Sequence, residues 1–180
     1  MRAALAALLL AYAMPVQADQ ADPRLPGLFD RLKGSHDLAE ARTAEAEIWE
    51  IWGETQDPES AQLYAQGSAA MASRAWSTAM QRFDALVARE PNFAEAWNKR
   101  ATLYYLIGDY PRSVADIQKT LALEPRHFGA LSGLGLIFMT IGKPQPALES
   151  FEAALAVHPF LPGGKQNIEV LRGQLGDQEL

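Results

Sequence analysis

The 180 residues include no cysteine. That excludes a disulfide framework, a thiolate metal site and a lipid-modified cysteine at a processed N-terminus, so packing alone must hold the fold. Histidine is scarce: His36, His127 and His158 are the only three. His36 falls in an expected loop and the other two near prolines. No expected helix carries paired histidines, or a histidine with a glutamate, at the spacing that puts two metal ligands on one face. Gly-x-Ser-x-Gly turns and phosphate-cradling glycine loops are also missing. Gly129, Gly133 and Gly135 crowd together, but within an expected helix, which is the wrong context for phosphate. No cofactor and no enzymatic chemistry is therefore expected. Charge is not strongly one-sided either, with 16 Lys and Arg against 22 Asp and Glu. A net charge of −6 spread along the chain argues against nucleic acid or an anionic membrane surface as the main partner.

Long apolar runs are confined to the N-terminus. Arg2, the apolar stretch from Ala3 to Met14 and the small-x-small triplet Val16-Gln17-Ala18 have the order of a cleavable leader. The run is shorter than the roughly 20 apolar residues a spanning helix needs, and nothing downstream approaches that length, so no transmembrane segment is expected. The expectation is a signal peptide over 1–18, export to the periplasm and a mature chain starting at Asp19. Loss of Arg2 would then take the net charge from −6 to −7.

What the chain has in quantity is a repeat. Pro91, Pro125 and Pro159 stand 34 residues apart. At the same interval Leu63, Trp97 and Leu131 form one column, and Phe83, Ile117 and Phe151 form another of large apolar residues. Gly67, Ala101 and Gly135, and again Ala79, Ser113 and Ala147, form columns of small ones. A 34-residue period with two small columns and a terminal proline is the pattern of stacked helical hairpins. Each hairpin has too little apolar surface to be stable without its neighbours. These columns resemble the tetratricopeptide repeat family over about Ser60 to Leu161. The resemblance implies an all-α, right-handed superhelical stack of helix-turn-helix repeats, with an inner groove for peptides. The stretch Trp97 to Leu136 is similar to exported proteobacterial members of that family.

The expected organisation is a lead-in and N-terminal capping helices over 19–59, three repeats at 60–93, 94–127 and 128–161, and a C-terminal capping helix over 162–180. Leu28 to Lys33 reads as a short helix, with Asp37 as N-cap of the next. That second helix carries Leu38, Ala41, Ala44, Ile48 and Ile51 on one face. Trp49 falls in the large apolar column, but Glu45 stands where a small residue is expected, so this segment reads as a degenerate cap over the exposed end of the stack. Hairpin turns are expected near Ser73-Arg74, Gly108-Asp109 and Gly142-Lys143. The last helix, with Ile168, Leu171 and Leu175 on one face, has the amphipathic form a terminal cap needs.

Carried onto this chain, the family's groove positions are Tyr64, Ser68 and Met71, then Asn98, Lys99, Thr102 and Tyr105, then Ser132, Gly133, Leu136 and Met139. Amides, hydroxyls and aromatic edges among apolar groups suit an extended peptide. The basic clamp by which some family members hold a chaperone's C-terminal carboxylate would map to Tyr64, Ser68, Lys99, Gly129 and Gly133. Only Lys99 there is basic, so a two-carboxylate clamp is not expected. Arg100 stands where the repeat pattern has leucine, and a buried guanidinium needs an acidic partner; Asp84 and Asp116 are the expected ones. Glu40, Glu47 and Glu50 read as a solvated helix face. The function expected is a scaffold that holds a peptide or helix of a protein partner in its concave groove without catalysis. The alternative is a self-associating structural subunit of a cell-envelope assembly, and a more distant one an enzyme using the carboxylates near Trp49 and Trp52. Sequence leaves partner and oligomeric state open.

Overall fold

The computed structural model describes residues 22–176; the expected leader and its cleavage site lie outside the described residues. Those described form nine helices: α1 (Leu25–Gly34), α2 (Leu38–Gly53), α3 (Pro58–Ala72), α4 (Trp76–Arg89), α5 (Ala94–Leu106), α6 (Tyr110–Leu123), α7 (Phe128–Thr140), α8 (Pro144–Val157) and α9 (Gly164–Gly176). No strand occurs among the described residues. The helices α3 to α8 make three antiparallel hairpins stacked side by side, the superhelical arrangement expected.

Local chemistry sets the helix ends. Asp37 caps α2 by accepting from the Ala39 N–H, Asp57 caps α3 through Ser60, and Asp109 caps α6 through Arg112. Each hairpin turns through a left-handed residue: Arg74 at φ 59°, Gly108 at 80° and Gly142 at 69°. The same bond closes all three turns, from Ala75 N to Ala70 O, Asp109 N to Tyr104 O and Lys143 N to Phe138 O, at 2.8–2.9 Å. Pro91, Pro125 and Pro159 follow the ends of α4, α6 and α8, where a residue without an N–H breaks no helical bond.

The small columns are places of near contact. A Cβ on Gly67 would stand 2.6 Å from the Phe83 ring, and one on Gly135 would stand 2.7 Å from Phe151. Ser113 fits its crossing by donating to the Ala101 carbonyl at 2.7 Å. Between hairpins, Arg100 grips both Asp116 oxygens at 2.7 and 2.9 Å and reaches Asp84 at 2.9 Å. That is the inter-hairpin bridge the sequence calls for. At the far end, α9 lays Ile168 and Leu171 against Leu148 and Phe151 of the third repeat.

The N-terminal hairpin departs from the expected placement over the end of the stack. α1 and α2 pack on each other and then on Phe128 of α7, Val157 of α8, Phe160 and Leu161. They lie across the inner face, over the third repeat. The apolar stripe of α2 is the one read from the sequence in Ala41, Ala44, Ile48 and Ile51, all buried. Leu38, placed on that stripe, is exposed. The stripe's destination is what differs, and the contacts that set it are described next.

Candidate functional site

Two tryptophans on the last turns of α2 hold the hairpin in place. Trp52 stacks flat on His127, with ring centroids 4.1 Å apart and 9° between planes. Trp49 meets His127 and Phe128 edge-on at 5.5 and 5.2 Å. Trp49 fits there because position 129 is glycine: a Cβ would stand 2.6 Å from its Cη2 atom. Phe128 in turn meets His158 edge-on at 4.9 Å.

Beneath this aromatic layer lies a buried polar network. His127 caps α7, its Nδ1 accepting from the Ala130 N–H at 3.1 Å. That leaves Nε2 to carry the ring proton and donate to Glu95 Oε2 at 3.0 Å. Glu95 also accepts from Asn98 Nδ2 at 2.8 Å and pairs with Lys99 Nζ at 3.2 Å. Burial pushes the Glu95 carboxyl up, but the His127 bond, the Lys99 charge and the Asn98 bond together hold it below its ordinary value. Burial, followed by the Glu95 charge, pushes the Tyr64 phenol well above its ordinary range. The network thus ties the loop before α7 to α5, and α5 to α3.

Above the network, α2, α5, α6 and α7 enclose a pocket of about 320 Å³. Its walls are largely apolar, from Trp49, Tyr105, Ile117, Phe128, Leu136 and Leu161, with Asn98, Thr102, Ser132 and Glu45 supplying polar atoms. Glu45 lies 3.3 Å from His158 Nε2, but neither ring nitrogen has an aligned hydrogen-bond partner.

Six of the groove positions carried over from the family line this pocket: Asn98, Thr102, Tyr105, Ser132, Gly133 and Leu136. The other five do not. Tyr64 and Met71 pack into the core of the first repeat, with the Tyr64 hydroxyl near Glu95, while Met139 packs into the core of the third. Lys99 is held by Glu95, and the Ser68 hydroxyl is buried without a partner. Glu45, Trp49, Phe128 and Leu161 were not among the groove positions. One available signal was Gly129, a glycine in the first turn of a helix that the repeat columns leave unexplained.

The comparisons agree with this architecture. A tetratricopeptide repeat model matches residues 64–118 and 99–162, together more than half of the chain. A TPR repeat-containing protein of Rhizobium etli is 33% identical over 152 residues, covering 84% of this chain and 74% of that protein. The chain belongs to the tetratricopeptide repeat family. Among solved structures, the Sgt2 TPR domain from Aspergillus fumigatus superposes with a TM-score of 0.64 at 22% identity, over 68% of this chain and 83% of that one. The first TPR of Spaghetti (RPAP3) bound to the HSP90 peptide SRMEEVD gives a TM-score of 0.63 at 16% identity, over 66% and 94%. At these identities the likeness concerns the fold.

Proposed function

We propose that this chain is a periplasmic protein-interaction module that holds an extended segment of a partner protein on its concave side, without chemistry of its own. The observation that carries this reading is the pocket on the inner helices, where hydrogen-bonding side chains of α5 and α7 alternate with apolar walls. Extended peptides need both, since their backbone must be satisfied while their side chains are buried. The peptide-bound neighbour supports the reading by showing that a fold of this kind can hold a short segment. Self-association is a second reading because Ile107 and Ile141, at equivalent helix ends, are both exposed.

A photoreactive side chain placed at Tyr105 in living cells tests the proposal. The expected product is a covalent adduct with one envelope protein, lost when the pocket residues Thr102 and Leu136 are both changed to alanine in protein that keeps its helical circular dichroism. Adducts formed only between copies of this chain would favour self-association.

A further inference from the structure

We infer that the pocket anchors a single leucine- or phenylalanine-sized side chain from an uncharged or basic peptide segment, and that it discriminates against acidic, carboxylate-ended tails. This rests on the peptide-holding reading above and assigns the chemistry of the segment.

Three independent features lead there. The first is shape. The inner face is not an open channel, because α2 crosses it and Trp49 is seated against Gly129. Lifting the hairpin away would uncover Leu25, Leu28, Phe29, Leu32, Ile48 and Trp52, all buried, so it forms a wall and not a flap. The remaining space, about 320 Å³, suits a side chain and its neighbouring backbone better than a helix. It opens between Leu106 and Leu136, which line it and remain 50% and 38% exposed. Those two lips can cover apolar groups flanking the anchor.

The second feature is Gly133. At Gly67, Gly129 and Gly135 a Cβ would come within 2.7 Å of an aromatic ring, so packing requires glycine. At Gly133 a Cβ would meet only the Ile117 Cδ1 atom, at an ordinary 3.6 Å. Glycine weakens a helix interior relative to alanine, and here no close contact demands it. What the missing side chain does is leave the pocket floor open.

The third feature is charge. Among the described residues, Glu45 is the one charged side chain lining the pocket. The inner helices α3, α5 and α7 hold two cations, Lys99 and Arg100. Lys99 faces the buried Glu95 at 3.2 Å, and Arg100 is held by Asp116 and Asp84. No cation on these helices is free to receive a terminal carboxylate or a run of glutamates. An incoming acidic tail would meet Glu45 without compensation, whereas a lysine beside the anchor would be attracted to it.

Calorimetric titration with defined peptides tests this. The probe is an acetylated, amidated nonapeptide of serine, glycine and one lysine around a central phenylalanine–leucine pair. Binding is expected, weakened at least tenfold when that pair becomes alanine–alanine. A probe ending in two glutamates and a free carboxylate should bind at least tenfold more weakly. Gly133→Leu should fill the pocket and abolish binding while the melting midpoint is kept; Gly133→Ala, which narrows the pocket and favours the helix, should weaken binding in protein at least as stable. Absence of binding to the phenylalanine–leucine probe, a tighter complex with the acidic one, or indifference to both Gly133 variants would overturn the inference. So would self-association that Gly133→Leu removes, which would give the pocket to a second copy. If Gly133→Leu retains the Tyr105 adduct, the interaction reading stands and the anchor site is wrong.

Discussion

Glu95 shows how much of this protein's organisation depends on one side chain. It is a fully buried carboxylate, and a charge in that position is tolerable only with nearly every lone pair engaged. His127, at the cap of α7, and Asn98 and Lys99 of α5 do this. Because the folded carboxyl titrates below its ordinary 4.5, the unfolded chain takes up this proton first as pH falls. The stabilisation is thus fully present above that value and drains away as pH drops toward the folded one. Thermal melts from pH 7 downward should therefore show a steeper acid loss for the wild type than for Glu95→Gln, which has no proton to bind there. Glu95→Leu, which strands the buried His127 N–H and the Asn98 amide, should cost about 3 kcal/mol at neutral pH. Parallel acid profiles for wild type and Glu95→Gln would mean that the carboxylate is not anchored by these partners.

At the scale of elements, the informative one is α2. Its amphipathic stripe and its Asp37 cap make it a helix on local grounds alone. Its docking relies on a few aromatic contacts at the α6–α7 junction. Gly129→Ala should push Trp49 off its seat, since the added Cβ and the ring cannot share that space, and overpacking of this kind costs about 1–3 kcal/mol. Gly133→Ala, four residues along the same helix, should be neutral or stabilising by up to about 1 kcal/mol. Urea unfolding of the two variants checks the contrast, and Trp49 fluorescence should move only in Gly129→Ala. Two alanine substitutions of equal effect would show that α2 does not sit where described.

For the whole molecule, the acidic, cysteine-free chain is held by packing between consecutive hairpins, with amphipathic helices closing the stack at its C-terminal end and covering its inner face. No described helix is long and apolar enough to cross a membrane. The location proposed for the protein rests on its first residues. N-terminal sequencing of material recovered from the periplasm should begin at Asp19, and an intact Met1 on a membrane-bound form would refute the leader.

The repeat stack was legible in the sequence because its determinants are local or shared between neighbours. A proline after a helix, a left-handed residue in a turn and a small residue facing Phe83 or Phe151 recur every 34 residues. The Arg100 bridge was legible for the same reason, since Asp84 and Asp116 are each 16 residues away, in the two adjacent outer helices. The inner face was only half legible. Family register brought Asn98, Thr102 and Leu136 to the pocket, but it could not foresee that Lys99 would be taken by Glu95 or that Met71 and Met139 would turn into repeat cores. The position of α2 was not legible at all. An amphipathic helix satisfies its stripe equally well on the end of a stack or across its hollow. Only the meeting of Trp49 with Gly129, 80 residues apart in sequence, and of Trp52 with His127 decides between them. The sequence by itself determined the repeating scaffold, whose contacts renew every hairpin. Tertiary structure alone decided the shape of the pocket, because that shape depends on long-range, non-repeating contacts that no periodicity encodes.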